Sequence, residues 1–130
     1  MPQPTQVSNN MKIIRWILGK IILLIDALTR PTPMTRTPEA QAEVDQQTPN
    51  YKLYQYKACP FCVKVRRELI RLNLDIETRD ALNNEQYRQE LIDQGGKAQV
   101  PCLRIKQQNG SEKWLYESSE INNLLRAEFG

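Results

Sequence analysis

The sequence predicts an α/β fold: a four-stranded mixed sheet with helices, preceded by a separate N-terminal helix. Between residues 51 and 130, short β-rich runs alternate with segments of helical periodicity in the order β-α-β-α-β-β-α. Upstream, residues 11–30 form the one long apolar run, and its polar and apolar side chains separate onto opposite sides of a helix. A chain of 130 residues has room for one such domain.

Composition excludes several classes of function. The net charge is only +3 and neither half of the chain is polybasic, so nothing indicates nucleic-acid binding. The chain has three cysteines and no histidine, which excludes Ser–His and Cys–His catalytic pairs and histidine metal ligands. An odd number of cysteines suits a disulfide framework poorly and favours a reducing compartment, so we expect a cytoplasmic location.

The N-terminal segment is predicted to be disordered over residues 1–10 and to form an amphipathic helix over residues 11–30. One arc of the helical wheel holds Lys12, Arg15, Gly19, Lys20, Asp26 and Arg30, and the opposite side holds Ile13, Ile14, Ile17, Leu18, Ile21, Leu24, Ile25 and Leu28, with Trp16 near the border. This separation is typical of a helix that lies at an interface.

Three alternatives remain open for residues 11–30. The helix could lie on a membrane surface, dock on its own domain or a second copy, or span a bilayer. A span needs about 20 mostly apolar residues, and the charges of Arg15, Lys20 and Asp26 interrupt this run. We therefore expect a peripheral membrane helix, and the interrupted run without a cleavage site argues against a cleaved signal peptide.

Residues 31–50 read as a connector, because they contain four prolines and almost no large apolar side chains. We expect this segment to be extended at first and helical from Pro38, with Thr37 as the N-cap. The folded domain is predicted to occupy residues 51–130.

Each element of the domain has a local signal. "YKLYQY" (51–56) and "LDIETRD" (74–80) are strands, joined by a helix "PFCVKVRRELIRLN" (60–73) that Asn73 ends, so these strands should be parallel. "NNEQYRQELIDQGG" (83–96) is a helix with Asn83 or Asn84 as cap and Gly95 as stop.

The last part of the domain is a hairpin and a helix. "VPCLRIKQ" (100–107) and "EKWLYE" (112–117) are strands joined through Asn109-Gly110, a strong hairpin signal. "SSEINNLLRAEF" (118–129) closes the chain as a helix, for which Ser118 or Ser119 is the expected cap. The sheet should therefore be mixed, with helices on both faces.

The candidate catalytic residues are Cys59 and Cys62, which lie where the first strand ends and the first helix begins. Unpaired N–H groups and the helix dipole favour a thiolate at Cys59, and Lys57 adds a nearby cation. Cys62 lies nearly one turn further, where its sulfur can meet the first. We expect the more exposed Cys59 to attack and the more buried Cys62 to resolve the mixed disulfide.

Two alternatives compete with a redox pair. The cysteines could be half of a zinc site, but the chain offers only Cys102 as a further soft ligand, so we expect no metal. They could also be inert and buried, for which a strand-to-helix junction is a poor place. A second element is "QVPCLRI", where Pro101 opens a strand; a cis Val100–Pro101 bond would turn backbone groups toward the cysteines, and an ordinary trans proline is the alternative.

Three motifs together resemble those of a glutaredoxin, within the thioredoxin-like superfamily: "CPFC" after the first strand, "VP" before the third and "LYESSEI" after the fourth. The resemblance covers roughly residues 51–129. It implies a thioredoxin-like fold, a cis Pro101 and glutathione as the reducing co-substrate. It also implies that glutathione contacts Lys57, Phe61, Val100, Pro101, Glu117 and Ser118, with the γ-glutamyl end held at the start of the last helix.

The sequence departs from the family pattern in two places. Many glutaredoxins have tyrosine where this chain has Phe61, and Gly-Gly-x-Asp where it has "ESSEI", which resembles the N-terminal domain of glutathione transferases. Single-cysteine CGFS-type members assemble iron–sulfur clusters, a role that Pro60 and Cys62 make less suitable here. For Cys102 we favour a buried strand residue over a third reactive thiol.

The sequence therefore predicts a glutathione-dependent thiol–disulfide oxidoreductase at a membrane face, acting on glutathionylated or disulfide-bonded proteins. The alternative is a non-enzymatic module that binds glutathione or an iron–sulfur cluster at a membrane. The amphipathic helix of residues 11–30 would raise the local concentration of the protein near membrane-bound substrates.

Overall fold

The computed structural model describes residues 4–130, with side chains from Asn10 onward. The elements in chain order are α1 (Pro4–Leu28), α2 (Pro38–Gln47), a 3₁₀ turn (Thr48–Asn50), β1 (Tyr51–Gln55), α3 (Pro60–Arg71), β2 (Glu77–Asp80), α4 (Glu85–Gly95), β3 (Cys102–Lys106), β4 (Glu112–Leu115) and α5 (Ser118–Phe129). From residue 51 onward this is the predicted order β-α-β-α-β-β-α.

The four strands form one mixed sheet in the order β2-β1-β3-β4. β1 and β2 are parallel, as a crossover through α3 requires, while β1–β3 and β3–β4 are antiparallel. The hairpin turns through Gly110, whose φ of 85° is the left-handed conformation that glycine adopts at little cost. The predicted mixed sheet is thus confirmed.

Helices cover both faces of the sheet. Leu53 and Leu103 belong to a buried cluster with side chains of α3 and α5. Their chain neighbours Tyr54 and Cys102 point to the other face, where they pack with Leu91 of α4. This alternation along each strand is what the period of two in a β-strand produces. The fold is the thioredoxin-like α/β class that the sequence predicted.

Several element ends match their local signals. Asn73 has a φ of 54° and follows the end of α3, as expected of a residue that tolerates the left-handed region. Asn84, not Asn83, caps α4 by accepting a hydrogen bond from the Tyr87 N–H at 3.1 Å. The left-handed residue that ends α4 is Gly96, one position after the expected Gly95.

The N-terminal region differs from its expected boundaries. α1 begins at Pro4, so residues 4–10, for which we expected no regular structure, continue the helix upstream of Met11. Extending an existing helix costs far less than nucleating one, so polar residues can join it. The expectation of disorder for residues 1–3 lies outside the described residues.

The connector packs against the domain. α2 begins at Pro38 with Thr37 as N-cap, as predicted, and the Thr37 hydroxyl accepts a hydrogen bond from Ala40 N–H. Met34 and Val44 pack on the main core cluster, and the Met34 N–H donates to the Arg71 carbonyl at 3.0 Å. Residues 31–50 therefore add apolar and hydrogen-bonded contacts to the 51–130 domain.

α1 docks on the domain through the side that carries Gly19 and Asp26. Asp26 is buried and forms an ion pair with Arg67 of α3 at 3.1 Å, and Gly19 is buried against Ala58. Residues 22–23 are half-buried at this contact, whereas the other large aliphatic side chains of α1 lie on the opposite side and are exposed to water. Within residues 4–130, no helix has the length and apolar content needed to cross a bilayer.

Candidate functional site

Cys59 lies at the junction between β1 and α3. It is the N-cap residue of α3, with φ −72° and ψ 125°, and its N–H donates to the Tyr56 carbonyl at 3.2 Å. Pro60 takes the first helical position, where a missing N–H costs nothing. The side chain of Cys59 makes no capping hydrogen bond and is half-buried, so its sulfur remains accessible at the start of the helix.

Cys62 is fully buried one turn further along α3. Its sulfur accepts a hydrogen bond from the Tyr56 N–H at 3.4 Å, and Cys59 lies close enough to raise the pKa of the Cys62 thiol further. Burial raises the pKa of the Cys62 thiol to about 12, and the Tyr56 N–H lowers it only in part. Cys62 is therefore a protonated thiol at neutral pH, held beside a more accessible sulfur.

Arg66 is a site residue that the sequence analysis did not single out. Its guanidinium donates to the Lys57 carbonyl at 2.6 Å and to the Gln55 side chain at 2.8 Å, which holds the loop before Cys59 in place. It also brings a positive charge near enough to act on Cys62. Its position in the sequence could have predicted this proximity, since Arg66 lies four residues after Cys62 and therefore on the same side of the helix.

The second predicted motif, Val100–Pro101, lies at the same end of the sheet as Cys59. Val100–Pro101 is a cis peptide bond, as expected, and directly precedes β3. The first residue of β3, Cys102, pairs with Tyr54 near the end of β1. Because β1 ends where β3 begins, the backbone before β3 and the loop that carries the cysteines share one edge of the sheet.

The third predicted element reaches this edge through β4. Leu103 pairs with Leu115, so the chain leaves β4 beside the start of β3 and enters α5 there. Glu117 is the N-cap of α5, with an exposed side chain that makes no capping hydrogen bond, and Ser118 is the first helical residue. The cap is thus Glu117 and not Ser118 or Ser119, because Glu117 is the last residue with extended φ and ψ.

The remaining predicted glutathione contacts are Lys57, which precedes the cysteine pair, and Phe61, which lies between the two cysteines. The Lys57 side chain is exposed, and Phe61 is 62% exposed although it lies between two cysteines. This exposed apolar ring lies next to the accessible sulfur of Cys59. All three predicted motifs thus meet at one edge of the sheet.

Cys102, unlike Lys57 and Phe61, is not exposed at this edge of the sheet. It is fully buried in the cluster with Tyr54 and Leu91, and burial raises the pKa of its thiol to about 12. Tyr116 and Lys97 lower that pKa only in part. The expectation that Cys102 is a buried strand residue is confirmed.

Metal ligands are not grouped in the described part of the chain, where no cluster of three or more histidine, cysteine, aspartate or glutamate side chains could hold an ion. The site consists of two thiols, a cis-proline turn and a helix N-terminus. Such an arrangement suits thiol–disulfide exchange.

Comparison with known families agrees with this geometry. Residues 51–109, which include the cysteine pair and the cis-proline turn, match the family model described as Glutaredoxin. No curated protein and no solved structure matched the chain.

Proposed function

Since residues 51–109 are a glutaredoxin domain of the thioredoxin-like superfamily, whose members are generally thiol oxidoreductases, we propose that this protein is a glutathione-dependent thiol–disulfide oxidoreductase. It reduces protein–glutathione or protein disulfides, with Cys59 as the nucleophile and Cys62 as the resolving thiol. The observation that most supports this division is burial. Cys59 is accessible at the start of α3, whereas Cys62 is 0% exposed with a pKa of about 12.

In the first step, the Cys59 thiolate attacks the glutathione sulfur of a glutathionylated protein. A Cys59–glutathione disulfide forms, the bond between glutathione and the protein breaks, and the protein leaves as a thiolate that takes a proton from water. A second glutathione thiolate then attacks the glutathione sulfur on Cys59. This releases oxidised glutathione and restores the Cys59 thiolate.

Cys62 provides a second route. After deprotonation, its sulfur attacks Cys59 in a mixed disulfide, forms a Cys59–Cys62 disulfide and releases the substrate or glutathione thiolate. Two glutathione molecules then reduce that disulfide in sequence and leave as oxidised glutathione. The raised pKa of Cys62 makes its thiolate scarce at neutral pH, so the glutathione-only route dominates when glutathione is abundant.

Glutathione is proposed to bind along the sheet edge where the three motifs meet. The backbone of Val100 would pair with the glutathione backbone, and the γ-glutamyl carboxylate would lie at the N-terminus of α5, where N–H groups lack helical partners. The proposed contacts are Lys57, Phe61, Val100, Pro101, Glu117 and Ser118. In support, these residues lie on segments that flank the cysteines or end at the same sheet edge.

We also propose that the protein works in the cytoplasm, at a membrane surface that it meets through residues 11–30. The support is the exposed apolar face of α1, which its own domain leaves uncovered. Cell fractionation of the full chain and of a chain without residues 11–30 tests this proposal. Equal amounts of both in the soluble fraction would contradict it.

The proposed activity is tested by the reduction of a glutathionylated peptide, coupled to glutathione and glutathione reductase. We expect Cys59→Ser to be inactive, because it lacks the nucleophile, and Cys62→Ser to keep most activity through the glutathione-only route. Cys102→Ala is the matched control and should retain wild-type turnover.

Equal inactivity of wild type and both active-site variants would contradict the proposal. A visible absorbance band after anaerobic reconstitution with iron and sulfide, together with that inactivity, would instead favour the glutathione- or cluster-binding module.

A further inference from the structure

The outward face of α1 is defined by ten apolar side chains that are 44–76% exposed: Met11, Ile13, Ile14, Trp16, Ile17, Leu18, Ile21, Leu24, Ile25 and Leu28. A helix that docks on its own domain ordinarily buries its apolar side, because that burial drives the contact. Here the docked side holds Gly19, Asp26 and only the half-buried apolar residues 22–23, so most of the apolar side chains remain uncovered. A continuous apolar surface of this extent marks an interaction site.

The docking contact fixes the direction of this face. Arg67 of α3 pairs with the buried Asp26 at 3.1 Å and donates to the Thr29 carbonyl at 2.6 Å, beside the C-terminus of α1. A buried carboxylate requires such a partner, so Asp26 is held toward the domain. The outward face, on the other side of the same helix, must then point away from the domain.

The charges on the polar side of α1, opposite the outward face, indicate an anionic partner, because the long basic side chains there are exposed and can extend toward lipid headgroups. Within Asn10–Leu28, the basic residues are Lys12, Arg15 and Lys20, and the single acidic residue, Asp26, is already neutralised by Arg67. Trp16 is 65% exposed, and the Lys20 ammonium lies 5.7 Å from the centre of its ring. Basic side chains with a tryptophan beside an apolar stripe are the features of a helix in the headgroup region of an anionic bilayer.

A second contact, between Gly19 and Ala58, places α1 next to the proposed nucleophile, Cys59. A Cβ atom built on Gly19 would lie 3.1 Å from the Cβ of Ala58, the residue that precedes Cys59. With no side chain at Gly19, α1 lies directly on the loop that carries the nucleophile. Since an α-helix with its side chains is about 10 Å across, Cys59 lies about one helix diameter from the surface that the outward face would enter.

We propose that α1 binds an anionic bilayer through its outward face and that its contacts with the domain fix the orientation of the protein on that surface. Its docking at Ala58 and Arg67 then holds Cys59 about one helix diameter above the lipid surface. The preferred substrates are therefore glutathione mixed disulfides on membrane-proximal protein segments. This inference rests on the proposed function, and the exchange is the one given above: Cys59 takes the glutathione sulfur and the substrate leaves as a thiolate.

Lipid binding is tested with the full chain carrying Trp114→Phe, so that Trp16 is the remaining tryptophan. Vesicles of phosphatidylcholine alone are compared with vesicles that also contain phosphatidylglycerol. We expect co-sedimentation and a blue shift of Trp16 emission with the anionic vesicles. Both should be lost in Ile17→Gln/Leu24→Gln, whereas Ile92→Gln, an exposed apolar position outside α1, should bind as before.

The fixed orientation of the domain on α1 is tested with Asp26→Ala, which removes the ion pair with Arg67 and leaves the outward face unchanged. The substrates are one glutathionylated peptide, offered free in solution and attached to vesicles by a short lipid anchor. We expect the wild type to reduce the anchored peptide at least about tenfold faster than the free one. Asp26→Ala should still bind vesicles and reduce the free peptide normally, but lose most of that advantage.

Three results would overturn the inference: no vesicle binding by the wild type, self-association through the outward face in sedimentation velocity, or an undiminished advantage in Asp26→Ala. Failure of the proposed function has a different signature, since the free peptide would then not be reduced by any variant, whatever the vesicle binding.

Discussion

At the scale of single residues, the two cysteines of the proposed active site differ in burial and in hydrogen bonding. Cys59 is the N-cap of α3: its carbonyl accepts a hydrogen bond from the Val63 N–H, and its side chain is half-buried. Cys62 lies inside α3 and is fully buried, and its sulfur accepts a hydrogen bond from the Tyr56 N–H. The sulfur of Cys59 is thus accessible, whereas that of Cys62 is buried and remains a protonated thiol at neutral pH.

This difference predicts selective alkylation. In the folded protein, iodoacetamide should modify Cys59 and leave Cys62 and Cys102 unmodified, because both of these are 0% exposed and their pKa values are about 12. Peptide mapping by mass spectrometry measures the modification of each residue, and a sample in denaturant should show all three modified. Modification of Cys102 at the rate of Cys59 in the folded state would show that the interior is open.

Glu68 predicts a dependence of stability on pH. Burial alone would raise the pKa of Glu68, but hydrogen bonds from Arg126 and Arg71 outweigh it and lower the pKa to about 2. The carboxylate form is thus favoured in the folded state. Its contribution to stability is full above the unfolded pKa of 4.5 and is lost as the pH falls toward 2.

Glu68→Gln should therefore lower the free energy of unfolding at pH 7 by about 2 kcal/mol, less than the full pKa difference would give, because both arginines are half exposed. The deficit relative to wild type should shrink between pH 5 and pH 2. Urea titrations at several pH values measure it, and a deficit independent of pH would contradict the ion-pair account.

At the scale of elements, the local signals predicted most of the fold. The β-rich run "YKLYQY", the Asn-Gly hairpin and the caps at Thr37 and Asn84 are signals that act within a few residues, so the local structure that they favour can be predicted from the sequence. The docking direction of α1 could not. Its two faces were evident, but the partner that selects the polar one, Arg67, lies 41 residues from Asp26.

Packing between α4 and the β3–β4 hairpin yields a prediction at Gly95. A Cβ atom there would lie 2.6 Å from the Tyr116 hydroxyl and 2.8 Å from the Trp114 ring. Gly95→Ala should therefore lower the free energy of unfolding by about 1–3 kcal/mol, despite the better helix propensity of alanine. Thermal or urea unfolding measures it against Gln86→Ala, an exposed position of α4, which should be neutral or stabilising. Equal effects of the two would show that the contact is loose.

At the scale of the whole molecule, the chain upstream of β1 divides into two parts with different roles. Residues 31–50 contribute Met34 and Val44 to the core, and Arg36 donates to the Phe129 carbonyl at the end of α5. α1 contributes mainly the Asp26–Arg67 ion pair and the Gly19 contact. The connector thus belongs energetically to the domain, whereas α1 adds a surface.

Truncation tests this division. A chain that begins at Pro31 should lose about 1–2 kcal/mol of unfolding free energy, since it lacks the Asp26–Arg67 ion pair and the Arg67 hydrogen bonds to Thr29 but few buried apolar contacts. A chain that begins at Tyr51 should lose about 3 kcal/mol, because half-buried apolar side chains and hydrogen bonds to the domain are removed. Urea unfolding measures both, and equal stability of the two truncated chains would contradict the role of the connector.

The three site motifs come from distant parts of the sequence, and only the sheet brings them together. The antiparallel β1–β3 and β3–β4 pairs place Cys59, Val100 and Glu117 on segments that meet at one edge. Family resemblance identified these motifs in advance. The role of Arg66 in holding the loop was not predicted, because its partners are a backbone carbonyl and Gln55 and carry no motif.

In the proposed mechanism, Cys59 carries glutathione as the covalent intermediate. The most direct test is to incubate Cys62→Ser, which cannot resolve the adduct, with oxidised glutathione and to map the product by mass spectrometry. We expect one glutathionyl group per chain, on Cys59, that reduced glutathione removes. An adduct on Cys102, or no adduct under conditions that modify a free thiol peptide, would contradict it.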